Sequence, residues 1–545
     1  MERPWYKFYP EGVPKSIAYP EIPLHGLLER SASTYPDRTA VISGESGYKL
    51  TYRELDSLAS SFANALEGMG AVKGDRVAIF LPNIPQFLIA YYGALKAGCV
   101  VTTISPLARE STLLFQLNDS EAETLVVYEP LLPIFLKVAS STAVKRTFVT
   151  SGSAERAPRL PQGSFYDFDR MLSRHPPESP KVEIDPKKEL ACLQYTGGTT
   201  GTPKGAMLTH FNMVSDAIAF SAWIKCRFAE ETFLTVLPLS HIFGMTTSMN
   251  SPIYAAGTIV LLQKFDVKTV LETIQRHGIT VFCGVPTMYA LIVASPEAQS
   301  YNLRSVKCCI SGGSPLPPEV QRRFIQLMGG VLVEGYGLTE CSPGTHTNPV
   351  DPSMKTVKIG SIGLPWPDVD AKIVDLETGS KTLPPGEVGE LVIKGPQVML
   401  GYWKKPEETK NVLRDGWLYT GDVAKMDEDG YFYIIDRKKD LIKHKGYSVY
   451  PREVEDAIYE HPAVKLCAVV GKPDPIAGEV PKAFVVLKDG AQLTADELIN
   501  FLKDRLEPYK LVKEVEFRKE LPLTPAGKVH RRLLREEELS KFSKR

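Results

Sequence analysis

Apolar residues recur along this chain in two rhythms, and the change from one to the other divides it. From about Thr51 onward, segments with a helical period alternate with short apolar runs. "TYRELDSLASSFANALEGMG" repeats its apolar positions every three to four residues and ends in glycine, as a helix C-terminus does. "DRVAIFLP" predicts a buried strand, "QFLIAYYGALKAG" a helix and "VVTTISP" another strand. The same rhythm returns at "TFLTVLP", at "GTIVLLQ" followed by "VKTVLETIQRHG", and at "TVFCGVP". Such alternation predicts an α/β fold, with parallel sheets covered by helices on both faces.

The texture changes after about Pro349. "DAKIVDLETGSKTLPPGEVGELVIKG" alternates with period two and turns at glycine and proline, which predicts antiparallel strands or a small barrel. From about Asp440 the segments "AVKLCAVVGKPD", "KAFVVLKDG" and "ADELINFLKDRL" predict a small α+β domain. We therefore expect a large domain over residues 1–436 and a smaller one over 437–545, meeting at a charge-rich connector.

Composition narrows the class. The 545 residues exceed what a single core usually serves, and 43% hydrophobic with 23% charged residues is a globular balance. Lys+Arg and Asp+Glu both number 64, which argues against a general nucleic-acid surface. The eight cysteines show no CxxC or Cys/His spacing and read as buried free thiols, not a zinc site. "MERPWYKFYP" lacks the layout of a signal peptide, and no apolar run nears the length of a membrane span. The final Ser543-Lys544-Arg545 resembles a peroxisomal address but lacks its leucine. The expectation is a soluble, cytoplasmic protein with at most transient membrane contact, as monomer or homodimer.

Chemistry concentrates at "YTGGTTGTPKG", Tyr195 to Gly205, which places four glycines, four threonines and a lysine in eleven positions. Glycines let the main chain approach a ligand and turn several N–H groups to one point, a donor surface suited to phosphate. Threonine hydroxyls can support a divalent cation, and Lys204 adds a mobile charge. "KKELACLQ" before the loop reads as a strand and "AMLTHFNMVSDAIAF" after it as a helix, the context of a phosphate loop. The Walker pattern is absent, because Lys204 precedes Gly205. A flexible surface loop without a ligand would carry the same residues.

Other segments add candidates. "LPLSHIFGM" sets His241 in an apolar stretch, where a lone histidine is more often a satisfied core residue. "CISGGSPLP" and "VLVEGYGLTECSP" are strands running into polar turns. "WLYTGDVAKMDEDGYFYIIDRKKD" contains Asp422 and Arg437, and "LPLTPAGKVHRR" places Lys528 in a turn. Singly, each has an explanation as turn chemistry.

Taken in order and at these separations, the set resembles the adenylate-forming superfamily of acyl-CoA synthetases, luciferases and peptide-synthetase adenylation domains. The resemblance runs from "LTYRELDSLASSFANAL" to "PLTPAGKVHRR". It implies a mobile C-terminal domain and a set of roles. Thr196, Gly197, Gly198, Thr199, Thr200, Gly201 and Lys204 would cradle the β- and γ-phosphates of ATP. Tyr336, between Gly335 and Gly337, would stack on adenine near the turn Gly312, Gly313 and Ser314. Thr339 would contact the α-phosphate, and Glu340, with Thr196, would hold Mg²⁺. Asp422 would accept from the ribose hydroxyls, with Arg437 nearby. Lys528 would bridge the attacking carboxylate and the α-phosphate as an electrostatic catalyst. The resemblance also implies a hinge at Lys439, and a CoA-binding strand with Lys443, Gly446, Tyr447 and Ser448. A solvated charge cluster is the plainer reading of Lys439 and Lys443.

Within that superfamily, CoA is the expected acceptor, because the chain ends soon after Lys528 with no carrier segment. "HIFGMTTSMN" offers no acid to pair with an α-ammonium group, so a plain carboxylic acid fits better than an amino acid. The acyl pocket would draw on His241–Thr246, Cys283–Met288, Ser311–Ser314 and Gly335–Gly337, which are mostly apolar or small. A medium- or long-chain fatty acid is the expected substrate. A 4-coumarate-like aromatic acid, a separate carrier protein as acceptor, and luciferase-like oxygenation share the same motifs. A non-catalytic adenylate binder would lack Lys528 or Glu340, and a kinase or ATPase would release ADP where this reaction releases AMP.

Overall fold

The computed structural model describes residues 3–153, 156–196, 203–445, 447–522 and 529–543. Among these, chain contacts separate one unit holding 3–370 and 393–418 from a second holding 371–392 and 419–543.

The first unit carries two parallel-rich sheets. In the larger, the strands Val331–Gly337, Cys308–Ser311, Val281–Gly284, Thr232–Thr235, Thr258–Leu261 and Thr39–Ser43 lie side by side and parallel. Antiparallel strands close its ends, Lys49–Thr51 at one and Gly344–Thr347 with Leu364–Pro365 at the other. The second sheet runs Phe165–Asp167, Arg146–Thr150, Thr124–Tyr128, Arg76–Phe80, Val100–Thr103 and Leu190–Tyr195, all parallel, then Gly205–Thr209 antiparallel.

The helices begin where local chemistry starts them. Thr51 and Glu54 form a capping box at the head of Tyr52–Gly68, and Gly70 takes a left-handed turn just beyond its end. Helix Pro85–Lys96 is buried along its whole length. Gly93 lets it press on its neighbour, since a Cβ there would stand 2.6 Å from the Ala59 carbonyl oxygen. Its terminal Lys96 amine is out of water but held by Glu29 at 2.7 Å and Asp56 at 2.9 Å.

One sequence expectation is corrected. The segment after the glycine-rich loop does not start as a helix: Gly205–Thr209 is a strand, antiparallel to Leu190–Tyr195, and the helix begins only at His210. The Thr209–Asn212 capping box fixes that later start. The apolar run Ala206–Leu208 serves a sheet edge first, so the loop joins two strands and is not seated on a helix N-terminus.

The period-two region forms an antiparallel sheet from Asp370–Val374, Gly389–Lys394, Trp417–Met426 and Leu413–Arg414, with Phe432–Arg437 paired to Trp417–Met426. The division between the units falls within these strands. The second unit also contains the long hairpin Val464–Asp474 and Gly478–Leu487, flanked by Ile442–His444, Tyr447–Val449 and Glu514–Phe517. Helices Pro451–Tyr459 and Ala495–Lys503 pack on one face, and Leu534 of helix Arg531–Ser543 joins a smaller apolar cluster with Phe484 and Leu521. Among the described residues, no helix is long and apolar enough to cross a membrane. All eight cysteines are free and seven are buried.

Candidate active site

The parallel strands of the larger sheet deliver the first group of site residues at their C-terminal ends, where ligands bind in open α/β sheets. Strand Cys308–Ser311 ends at Gly312, whose N–H donates to the Gly284 carbonyl at 3.1 Å. Gly313 is left-handed, and a Cβ on Gly312 would press the Phe243 ring at 3.0 Å. These contacts bring together three of the four segments expected to line an acyl pocket. Strand Val331–Gly337 carries half-buried Tyr336, which meets His346 edge-on at 6.0 Å. At Gly337 no side chain fits, because a Cβ would lie 2.1 Å from the Pro343 carbonyl oxygen.

Thr339 and Glu340 follow in a single 3₁₀ turn, Thr339–Cys341, closed by left-handed Ser342. Buried polar groups bolt this turn down. Thr246 donates to the Ser342 carbonyl at 2.6 Å, and the Ser342 hydroxyl donates to the Gln397 carbonyl at 3.0 Å. The Gly344 N–H donates to Asp216, whose carboxyl burial pushes well above the usual range. Met399 N–H donates to the Glu340 carbonyl at 2.8 Å, and the Tyr402 hydroxyl donates to Glu340 Oε1 at 2.6 Å.

The glycine-rich loop is anchored beside this turn. Thr196 N–H donates to the Lys204 carbonyl at 2.9 Å, closing the loop at its base. Tyr195 donates to Asp119 at 2.6 Å, and Gln194 and Thr103 donate to the Ser240 carbonyl, tying the loop's entry strand to the His241 segment. The Lys204 amine lies over the Tyr402 ring, 5.1 Å from its centroid. Gly197, Gly198, Thr199, Thr200 and Gly201 lie outside the described residues, as do Gly446 and Lys528.

His241 is not the core histidine that its apolar surroundings suggested. It is exposed, and its Nδ1 accepts the Phe243 N–H at 3.2 Å, capping a short helix Ile242–Met245 that runs into a π-helical turn, Thr246–Asn250. Asn83 secures the approach, accepting from Leu239 N–H and donating to the Leu237 and Leu262 carbonyls.

The second unit gathers the other candidates. Asp422 is buried and faces Arg437 across a strand pair, with Nε to Oδ1 at 3.0 Å. The Lys439 amine is partly buried with no hydrogen-bond partner among the described residues, and burial lowers it to about 8. Lys443 donates to the Ser448 hydroxyl at 2.8 Å, and Tyr447, 58% exposed, stacks on Tyr509 at 4.7 Å.

Among the described residues, no three His, Cys, Asp or Glu side chains gather as a metal cage. Glu340 offers hard carboxylate oxygens and Thr196 a hydroxyl, a sparse set that suits Mg²⁺ shared with nucleotide phosphates. Sequence reasoning missed Tyr402, Gln397, Asn83 and Asp216. "VMLGYW" carries no local mark of function, and the other three read as ordinary polar residues until the fold buries them.

Comparison with known proteins agrees with this geometry. Residues 28–403 match the AMP-binding enzyme family, and residues 453–528 match the AMP-binding enzyme C-terminal domain. The chain is 44% identical to a long-chain-fatty-acid–CoA ligase of Bacillus subtilis (strain 168), covering 98% of each. It is 38% identical to a feruloyl-CoA synthase of an Amycolatopsis species, covering 92% of this chain and 96% of that one. The solved structure of ATP-bound MatB from Rhodopseudomonas palustris superposes with a TM-score of 0.86 at 31% identity, covering 95% of this chain and 99% of that one. The chain belongs to the AMP-binding, adenylate-forming enzyme family.

Proposed function

We propose that the chain is an AMP-forming acid–thiol ligase that activates a fatty acid with ATP and transfers the acyl group to CoA. The carboxylate attacks the α-phosphorus of ATP, forming acyl-AMP and releasing pyrophosphate. The CoA thiol then attacks the acyl carbonyl, forming the thioester and releasing AMP and a proton. The observation that carries this reading is the junction of the Thr196–Lys204 loop base with the Thr339–Glu340 turn. Tyr402 links the Lys204 amine to the Glu340 carboxylate, which supports reading the two as neighbouring phosphate- and metal-binding groups. The likeness to the Bacillus ligase supports the choice of a fatty acid.

In this reading the loop, with Lys204, holds the β- and γ-phosphates, and Gly312–Ser314 and Gly335–Gly337 shape the adenine slot under Tyr336. Thr339 contacts the α-phosphate, Asp422 accepts from the ribose with Arg437 beside it, and His241 heads the segment facing the acyl group. Glu340 and Thr196 would hold Mg²⁺, which would supply charge neutralisation to the triphosphate. Lys528 stabilises the charge that builds on the α-phosphate. We place the domain boundary at 436/437 with Lys439 as hinge, and assign Lys443, Gly446, Tyr447 and Ser448 to the thiol half-reaction.

The test is AMP release from ATP and Mg²⁺ with acids from acetate to palmitate, plus hydroxycinnamates, each with and without CoA. CoA-dependent AMP release on a medium- or long-chain acid is expected. ADP in place of AMP would sink the proposal. The feruloyl-CoA synthase relative favours a second reading, an aromatic acid, and fastest turnover of hydroxycinnamates would move the assignment there.

A further inference from the structure

We infer that Tyr402 is a positioning residue for adenylation: its hydroxyl orients the Glu340 carboxylate for the metal while its ring seats Lys204 against the loop. The inference rests on the reading of Glu340 and Lys204 given above and adds a residue to it.

Tyr402 lies far along the chain from both partners, and backbone pairing carries it to them. The Met207 N–H donates to the Gly401 carbonyl at 2.9 Å, Leu400 N–H to Met207 at 2.9 Å, and Trp403 N–H to Gly205 at 2.8 Å. Residues 400–403 thus run as a short extra strand along the exit of the glycine-rich loop, with Ala206 opposite Tyr402. The Met399 N–H holds the Glu340 carbonyl from the same segment. The Tyr402 N–H is fixed by the Thr409 hydroxyl at 2.9 Å, and the residue is 8% exposed. Few rotamers remain to a ring held at both ends.

The two contacts of that side chain differ in kind. The phenol donates to Oε1 of Glu340 and leaves Oε2 to other ligands, which fixes the plane of the carboxylate. A hydrogen bond of this sort behind a metal ligand sets its orientation and basicity. The face of the ring lies under the Lys204 amine, a cation–π contact that holds the charge near the loop. One side chain therefore sets the spacing between the group that meets the metal and the group that meets the phosphates.

The test is Mn²⁺ binding, in place of Mg²⁺, followed by electron paramagnetic resonance with a non-hydrolysable ATP analogue. Values are taken per folded molecule from the melting curve of each metal-free variant. Tyr402→Phe keeps the ring and loses the donor, and should raise the Mn²⁺ half-saturation about tenfold or more. It should leave metal-free analogue binding unchanged, whereas Tyr402→Leu should weaken both. Wild-type Mn²⁺ binding by Tyr402→Phe, alongside weakened binding by Glu340→Gln, would overturn this inference and spare the reading beneath it. Wild-type binding by Glu340→Gln would overturn that reading itself. A loss of Mn²⁺ binding that merely tracks the unfolded fraction would reduce Tyr402 to a structural residue and also overturn the inference.

Discussion

The Thr339–Cys341 turn and the segment 437–448 are held by opposite kinds of chemistry. Around the turn, the restraints are buried and mostly uncharged: Thr246, Ser342, Gln397 and a burial-raised Asp216 bond backbone groups. Around 437–448 they are ion pairs and charged hydrogen bonds in partial contact with solvent. Lys438 meets Glu390 at 2.8 Å, Arg535 donates to the Lys439 carbonyl at 3.1 Å, and Arg531 pairs with Asp436 and Asp440. Buried hydrogen bonds resist deformation because an orphaned group costs its full desolvation. The pairs around 437–448 reach water through Lys438 and Arg531, while Glu390 and Asp436 are buried, so parting them leaves a charge out of water. In the proposed reaction donors must already be in place when charge develops, and a turn held this way would supply them.

The largest test of this contrast is Lys528→Ala. Acyl-adenylate formation should fall about a hundredfold or more, the scale of losing one electrostatic group at the transition state. Conversion of supplied acyl-adenylate to acyl-CoA should survive. Equal loss in both half-reactions would erase the division of labour. Next is Gly337→Ala. Its Cβ meets backbone, not a flexible side-chain end, so the turn must shift. Stability should drop by roughly 1–3 kcal/mol in urea unfolding. Adenylation should fall up to about a hundredfold through misplacement of Thr339 and Glu340. A variant with wild-type adenylation would show that the turn tolerates movement.

A smaller effect is expected from Lys443→Ala, about tenfold on thioester formation, the size of one charge-assisted hydrogen bond. Adenylation rates should stay close to wild type, and an unchanged thiolation rate would remove Lys443 from the site. The contrast between regions also explains what could be read from the sequence. The strands and helices of the first unit were legible because buried parallel strands and amphipathic helices write their periods into the chain, as at "DRVAIFLP" and "VKTVLETIQRHG". The motif residues were legible because glycine, threonine and lysine crowd a short loop. The start of the helix at His210 was not, because Ala206–Leu208 suits a strand and a helix equally. Tyr402 and Asp216 were hidden for a different reason. Their roles come from partners 62 and 128 positions away, which no local pattern encodes.

The smallest effect sharpens the comparison most directly, because it reads the charge state of the second region. Asp440 and Asp422 favour the charged Lys439 amine, while Arg437, Arg532 and above all burial disfavour it, leaving it near 8 against an ordinary 10.5. Below pH 8 the folded chain holds a charged amine partly out of water. Between about 8 and 10.5 the folded form has shed that proton while the unfolded chain keeps it, so this group's share of stability rises with pH. Lys439→Met removes the group, so the variant should gain on the wild type at pH 7. That gain should shrink toward pH 10, with the melting temperatures differing by no more than about 2 °C. Trace acetylation of the lysines across the same pH range gives an independent reading, since only the neutral amine reacts. Lys439 should reach half-maximal labelling near pH 8, well before the exposed lysines. If it labels along with them, the amine is solvated, and segment 437–448 is held no differently from any charged loop.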